Sequence, residues 1–115
     1  MLKRCCLVDV AGMLRSFAYA AAIALRRRSP GDAARLDPWA TQWLANVESY
    51  YLEAYLETAS VTAILPRDPA ILKLLVRTFM LDKAIYEIGY ELANRPDWVG
   101  IPLQGAIALC ELAKR

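Results

Sequence analysis

Apolar residues recur every three or four positions along most of this chain, which is the spacing of one face of an α-helix. Breaker clusters and capping signals divide the pattern into four segments. None of these segments shows the strict alternation that predicts a strand. The sequence therefore predicts an all-α fold of about four helices. They cover approximately residues 10–28, 38–58, 69–95 and 102–114.

Capping signals set the predicted helix starts. Asp9 is a candidate N-cap for the first helix, which should be the most buried because its residues leave almost no polar face. Asp37-Pro38 and Asp68-Pro69 each place a capping residue before a proline at the first helical position. Ser29-Pro30-Gly31-Asp32 is interpreted as the break between the first two helices, and Pro96 as the end of the third.

The same periodicity predicts which side of each outer helix is buried. In the second helix the predicted packing face consists of Trp39, Trp43, Leu44, Val47, Tyr51 and Ala54. In the last helix the apolar residues available for burial are Leu103, Ile107, Cys110 and Leu112.

The third predicted helix carries two contrasting stripes. One is apolar and is predicted to face the core: Leu74, Leu81, Ile85, Ile88 and Leu92. The other aligns ammonium, phenol, carboxylate and amide groups in Lys83, Tyr86, Glu87, Tyr90, Glu91 and Asn94, and Arg95 follows. This polar stripe is either a solvated face with an exposed Lys83–Glu87 ion pair or a surface for a polyhydroxylated ligand. Aromatic faces pack on sugar rings, while carboxylates and guanidinium groups bind hydroxyls.

Composition narrows the classes of function. The 115 residues predict one domain, residues 1–115. A hydrophobic share of 57% predicts either helices that are packed on most sides or a chain that docks against another domain or a second copy. A net charge of +2 with no basic stripe gives no support to nucleic-acid binding. Cys5, Cys6 and Cys110 are an odd number, and histidine is absent, so neither a disulfide framework nor a zinc site is predicted and a cytoplasmic location fits best.

The chain offers no recognisable catalytic or metal-binding machinery of its own. Asp9 and Arg15 interrupt the apolar N-terminal run, so no membrane span is predicted. Serine or cysteine catalysis lacks a histidine base, and no phosphate-binding glycine loop occurs. Glu87 and Glu91 lie one turn apart on one helix, so they point in parallel and not across a substrate as glycoside hydrolysis requires.

Two segments resemble the C-terminal part of bacterial maltokinases, including the kinase domains fused behind trehalose synthase. They are DVAGMLRSF at residues 9–17 and LDKAIYEIGYELANRPDWVGIPL at residues 81–103. Between them, Trp43, the segment Tyr51–Tyr55, Leu65-Pro66 and Leu74-Leu75 are also similar to the family's intervening helices. The resemblance therefore spans nearly the whole chain.

The resemblance implies the helical C-terminal lobe of a protein-kinase-like fold, similar to aminoglycoside phosphotransferases. Family members transfer the γ-phosphate of ATP, with magnesium, to maltose, and the maltose 1-phosphate feeds α-glucan synthesis. The nucleotide lobe, catalytic loop and metal-binding loop would precede Asp9, where the sequence has only eight residues. The expectation is an inactive sugar-side fragment whose ATP and magnesium belong to the complete enzyme. Its expected partners are the missing N-terminal kinase portion or trehalose synthase, and a maltose-type sugar bound weakly at best.

The implied roles fall on a few residues. The resemblance places Lys83, Tyr86, Glu87, Tyr90, Glu91 and Arg95 beside the sugar, and gives Asp9 a supporting role toward the catalytic loop. The chain departs from the family where Cys5-Cys6-Leu7 replaces Ser-Pro-Leu and where Phe17-Ala18-Tyr19 replaces Phe-Asp-Tyr.

The alternative is a non-catalytic helical interaction or oligomerisation module. Self-association is expected through an apolar surface around Val8, Val10 and Met13.

Overall fold

The computed structural model describes residues 6–58 and 65–114. These residues form four α-helices: α1 (Leu7–Arg26), α2 (Pro30–Leu56), α3 (Pro69–Asn94) and α4 (Gly100–Ala113). A short 3-10 helix, Pro96–Trp98, joins α3 to α4. No strand occurs in the two described ranges, so the predicted all-α fold of about four helices is confirmed. Cys5 was predicted to lie at the chain terminus and Ile64 in the connection before the third helix. Both residues lie outside these ranges.

The start of α1 differs from the prediction. The helix begins at Leu7, Cys6 occupies the N-cap position, and no side-chain hydrogen bond caps it. Asp9 lies inside the first turn, so the predicted N-cap role of Asp9 is wrong. A carboxylate in the first turn still interacts favourably with the positive end of the helix dipole, which explains why an acidic residue is tolerated there.

The start of α2 also lies earlier than predicted. Ser29 is the N-cap, its Oγ accepts a hydrogen bond from the Asp32 backbone N–H at 3.4 Å, and Pro30 takes the first position. The predicted start at Asp37-Pro38 is therefore wrong, because Pro38 lies inside the helix. Both sites offer a capping residue followed by proline, and the helix begins at the first of them.

The limits of α3 agree closely with the prediction. Asp68 is the N-cap, its Oδ1 accepts a hydrogen bond from the Ala70 backbone N–H at 2.9 Å, and Pro69 is the first helical residue. The helix ends at Asn94, two residues before Pro96. The last helix begins at Gly100, slightly earlier than the predicted Pro102.

The core is built around α1, which contacts α2, α3 and α4. The N-terminal half of α1 supplies most of the buried core and α2 supplies no fully buried residue, as the apolar surface of α1 predicts. Val10 is buried, which corrects its predicted place on an exposed apolar surface, whereas Met13 is 43% exposed. The core cluster consists of Leu7, Val10, Ala11, Leu14, Leu65, Val76 and Met80.

The predicted packing face of α2 is partly right and that of α4 is wrong. In α2, Tyr51 packs against the core cluster, and Leu44 and Val47 are half-buried. Trp39 is 74% and Trp43 47% exposed, and Ala54 is also exposed. In α4 the four predicted residues are all exposed, and burial falls on Ile101 and Pro102 with Leu109 packed against the core. These helices meet the core along narrow contacts, so their other apolar residues stay in solvent.

The orientation of α3 is the largest departure from the prediction. The apolar stripe predicted to face inward has Leu74 64%, Ile85 59% and Leu92 58% exposed. The buried residues of α3 are Val76, Met80, Ala84 and Glu91. The side of the helix that carries the carboxylates therefore faces inward, and the predicted apolar stripe is mostly exposed, with only Leu81 and Ile88 half-buried.

One helix within the described residues, α1, is long and apolar enough to span a membrane by length and composition. Core helices of soluble proteins and signal sequences have the same composition. The expectation of no membrane span therefore stays a prediction.

Candidate functional site

A groove of ≈ 520 Å³ runs between α1 and the polar side of α3. From α1 it is lined by Gly12, Ser16, Tyr19, Ala20 and Ile23, and from α3 by Lys83, Tyr86, Glu87, Tyr90, Glu91 and Arg95. All the residues that the sequence singled out as sugar-binding thus lie along one groove. Asn94 is not among them, because its side-chain amide donates to the Tyr90 backbone carbonyl at 2.9 Å.

The outer rim of the α3 wall is aromatic and cationic. Tyr86 is 65% exposed and Tyr90 49% exposed, one helical turn apart. The Lys83 ammonium lies 5.1 Å from the centre of the Tyr86 ring, within the range of a cation–π contact. The rim therefore presents two phenol rings and a positive charge to whatever enters the groove.

Below this rim, Glu87 forms an ion pair with Arg15, which was not among the predicted site residues. Arg15 of α1 donates from Nε to Glu87 Oε1 at 2.8 Å. The two side chains are 4% and 13% exposed, so the ion pair is largely shielded from water. The predicted exposed pair between Lys83 and Glu87 does not occur. Arg15 interrupts an apolar run in the sequence, and a buried arginine needs a carboxylate partner, which is the signal that could have found this contact.

Glu91 is fully buried and paired with Arg95. Its Oε1 accepts hydrogen bonds from Arg95 Nε at 3.2 Å and from Nη2 at 2.8 Å. The Arg95 guanidinium also lies 4.1 Å from the centre of the Trp98 ring and 5.8 Å from that of Tyr90. Arg95 is therefore fixed at one end of the groove by a carboxylate and two aromatic rings.

Two polar atoms beside the groove have no hydrogen-bond partner within the described parts of the chain. They are Oε2 of Glu91 and Nη2 of Arg15, and both are buried. A buried charged group with an unused hydrogen-bonding atom costs free energy, so such atoms in a native fold need an explanation. Arg15 Nη2 lies beside Gly105 of α4, whereas Glu91 lines the groove, where a polar ligand or water would supply the contact that Oε2 lacks.

Tyr19 forms the opposite wall and was not predicted as a site residue. Partial burial, followed by the negative charges of Glu87 and Glu91, raises the pKa of the Tyr19 phenol to about 12. The hydroxyl therefore stays protonated at neutral pH and can donate a hydrogen bond toward the carboxylate side of the groove. The small residues Gly12, Ser16 and Ala20 recur every four positions on α1 and leave the space that the groove occupies.

Arg15 is enclosed from several sides. A methyl group added at Gly105 of α4 would lie 2.5 Å from Arg15 Nη1, so the guanidinium would have to shift to admit it. Burial raises the pKa of Glu48 on α2, and attraction by Arg15 partly opposes that rise. Residues from α2, α3 and α4 thus surround the guanidinium, which positions Glu87 at the groove.

A second hollow of ≈ 500 Å³ adjoins the first, because both are lined by Gly12, Lys83 and Tyr86. The second hollow is also lined by Asp9, and by Asp82 of α3. We call these two neighbouring hollows the valley; the second reaches the first turn of α1. This is where the structure places Asp9, the residue to which the sequence resemblance gives a supporting role.

The chemistry available in this valley is that of recognition. Phenol hydroxyls, carboxylates, a guanidinium and an ammonium converge on one concave surface, as in sites that bind polar ligands. Across residues 6–58 and 65–114, no group of three histidine, cysteine or acidic side chains could hold a metal ion. No step that uses magnesium or ATP is assigned to the described residues.

Comparison with known proteins adds no assignment. No protein-family model and no solved structure matches this chain.

Proposed function

We propose that the groove between α1 and α3 binds a carbohydrate, and that this chain is the sugar-side portion of a maltokinase-like enzyme. The complete enzyme would phosphorylate maltose with ATP to maltose 1-phosphate. The observation that carries the proposal is the convergence of Lys83, Tyr86, Glu87, Tyr90, Glu91 and Arg95 on one groove. The resemblance of residues 9–17 and 81–103 to maltokinases supports the choice of sugar.

The composition of the groove suits a sugar. The exposed rings of Tyr86 and Tyr90 offer apolar faces on which a pyranose ring can pack. Glu87 and Glu91 accept hydrogen bonds from hydroxyls, while Tyr19 and Arg95 can donate to ring or hydroxyl oxygens. The unpartnered Oε2 of Glu91 is a specific place for a sugar hydroxyl, since a donor there would satisfy a buried acceptor.

The position of Asp9 supports a direction for the sugar. Asp9 lines the second hollow at the end of the valley, beyond Lys83 and Tyr86. If Asp9 supports a catalytic loop as the family resemblance implies, the reacting end of the sugar lies at this end. The residues that hold ATP and magnesium would come from outside the 115 residues and close the valley from that side. The chain alone would then be inactive, and its work would be cytoplasmic carbohydrate metabolism.

A second candidate is a non-catalytic helical interaction module. The exposed apolar stripe of α3 favours it, because large contiguous apolar surfaces mark sites of association. This alternative needs no ligand in the groove. It is therefore separated from the first by a direct test for sugar binding.

The test is saturation-transfer NMR of maltose with the purified chain. Half of a cleft covers little of a sugar, so we expect a Kd of about 1 mM or weaker. The Tyr90→Ala variant should weaken the signal at least several-fold, because it removes an aromatic face from the rim. The matched control is Tyr50→Ala, which removes a tyrosine that is 72% exposed on α2, away from the groove.

The outcomes separate the two candidates. A maltose signal that Tyr90→Ala reduces and Tyr50→Ala leaves unchanged supports the carbohydrate site. The absence of any signal with maltose, or an equal response in the two variants, contradicts it and returns the groove to a structural feature of an interaction module.

A further inference from the structure

The outward face of α3 has a regular spacing that the groove does not explain. Seven residues follow one another in alternating steps of three and four: Ile71, Leu74, Thr78, Leu81, Ile85, Ile88 and Leu92. All lie within α3; Leu74, Ile85 and Leu92 are more than half exposed, whereas Leu81 and Ile88 are half-buried. We call these seven residues the outer seam. It lies on the side of α3 opposite the residues that contact α1.

The spacing of the outer seam is that of the a and d positions of a coiled coil. Steps of three and four sustained over three heptads keep one stripe facing a partner helix along about 30 Å. Thr78 is the one polar member, and its Oγ1 already donates to the Leu74 backbone carbonyl at 2.7 Å. Covering Thr78 would therefore leave no hydroxyl without a partner. The seam is suited to another helix with the same repeat.

Helix α4 extends the apolar surface beside the seam. A hollow between the two helices is lined by Leu74, Arg77 and Leu81 from α3 and by Leu109 and Cys110 from α4. Leu103 and Ile107 of α4 are 45% and 46% exposed. The apolar surface therefore spans two neighbouring helices, more than the scattered apolar residues that a monomer normally exposes.

We propose that the outer seam of a second copy of this chain covers the first, with the two α3 helices parallel and in register. Charge complementarity favours this occupant. In the heptad defined by the seam, Arg77 is at position g and Asp82 at position e of the next heptad, the positions that form ion pairs across a parallel dimer. Neither residue forms an ion pair within the described ranges. A two-fold axis would create the Arg77–Asp82 pair twice.

The flanking residues favour the parallel arrangement over the antiparallel one. An antiparallel pair centred on the same seam would place position e against position e and bring the two Asp82 carboxylates together. Like charges in this position oppose association. The charges flanking the seam thus select one orientation.

The dimer is tested by sedimentation velocity over a dilution series of the purified chain. The chain should be dimeric at high concentration and dissociate on dilution. Ile85→Glu places two carboxylates in the centre of the seam and should give a monomer at every concentration. Ile85 is 59% exposed in the monomer, so the variant should keep its helical circular dichroism. Trp39→Glu is the matched control, because Trp39 is exposed on α2 away from the seam.

The orientation is tested by charge reversal. Arg77→Glu should raise the dissociation constant of the dimer roughly tenfold, because two attractive pairs become repulsive. Combining Arg77→Glu with Asp82→Arg should restore most of the affinity. A chain that stays monomeric at the highest concentration overturns the proposal. A dimer that is lost in the Trp39→Glu variant and kept in the Ile85→Glu variant also overturns the proposal. Failure of the double reversal to restore affinity overturns the parallel register.

Discussion

The inward side of α3 carries carboxylates among its buried apolar residues, and the outward side carries exposed apolar residues. The side that faces α1 carries Glu87 and the fully buried Glu91, whereas the side that faces away carries Leu74, Ile85 and Leu92, each more than half exposed. In most globular proteins the apolar stripe of a helix faces the core. In α3, buried apolar residues are accompanied by two largely buried carboxylates, and further apolar residues stay exposed.

The difference has an energetic reason that is visible in the contacts. Buried carboxylates are costly unless a cation and hydrogen bonds accompany them into the core. Arg15 meets Glu87, and Arg95 meets Glu91, so the charged side of α3 can face inward. The apolar side carries no charged group, so its orientation involves no desolvation of charge. It is left available for a partner. The Arg15–Glu87 pair is therefore the contact that most directly determines which side of α3 faces the groove.

The largest expected effect is the loss of that pair. Arg15→Met keeps the volume of the side chain and leaves Glu87 as a mostly buried, unpaired carboxylate. The free energy of unfolding should fall by about 3–5 kcal/mol, measured by urea denaturation. Adding Glu87→Leu should recover a large part of the loss, because no uncompensated charge remains.

The control is the exposed pair between Arg35 and Asp32, whose side chains are 68% and 53% exposed. Arg35→Met should change the free energy of unfolding by less than about 1 kcal/mol. Equal effects of Arg15→Met and Arg35→Met would contradict the view that the buried pair orients α3.

The second effect concerns the space that Gly105 leaves for Arg15. Gly105→Ala places a methyl group 2.5 Å from Arg15 Nη1, and the guanidinium cannot withdraw without loosening its bond to Glu87. We expect a loss of about 1–3 kcal/mol in the free energy of unfolding. Gly89→Ala on the exposed side of α3 meets no atom within 4 Å and should instead stabilise the chain by about 0.5–1 kcal/mol. Stabilisation by both substitutions would show that Arg15 is not confined.

The third effect concerns the N-cap of α3, because the position at which the helix starts determines which residues face each side. Asp68→Ala removes the acceptor for the Ala70 backbone N–H and should cost about 1 kcal/mol of the free energy of unfolding. Asp37→Ala changes a residue that the sequence alone assigns to the same role and that lies inside α2. That substitution should stay within about 0.5 kcal/mol. A larger loss for Asp37→Ala would restore the predicted start of the second helix.

The smallest effect appears at alkaline pH. The folded-state pKa of Tyr19 is raised from 10.0 to about 12, so the folded chain holds this proton more tightly than the unfolded chain. The resulting contribution to stability is complete below pH 10.0 and is lost as the pH rises through about 12. Tyr19→Phe should therefore lose less stability than the parent chain across this interval, measured by urea denaturation at each pH. If the free energy of unfolding changes equally with pH in the variant and the parent chain, Tyr19 does not lie near the carboxylates of the groove.

The sequence predicts the helices better than it predicts their orientation. Asp68-Pro69 and Pro96 mark the ends of α3 because capping and proline effects act within one turn. Asp37-Pro38 has the same local signal but lies inside α2, since the choice between it and Ser29-Pro30 is made by the rest of the fold. Periodicity identifies both stripes of α3, yet the inward one depends on Arg15, a residue 72 positions from its partner Glu87.

Only part of the groove could be predicted from the sequence, because contacts between helices have no local signal. Lys83, Tyr86, Glu87, Tyr90, Glu91 and Arg95 share one stripe of one helix, so their proximity follows from helical geometry alone. Tyr19 belongs to another helix, and its place opposite them depends on the packing of α1 on α3. Gly105, which accommodates Arg15 from α4, depends on a third helix and has no local signal.

The polar side of α3 and the facing side of α1 are proposed to form a carbohydrate site. The most direct measurement is an NMR titration of the isotopically labelled chain with maltose, following the backbone amide of each residue. We expect the amides of Tyr19, Tyr86 and Tyr90 to shift in a saturable manner, while those of Ile71 and Ile85 on the outer seam do not. Shifts confined to the outer seam, or no saturable shift along the groove, would contradict it.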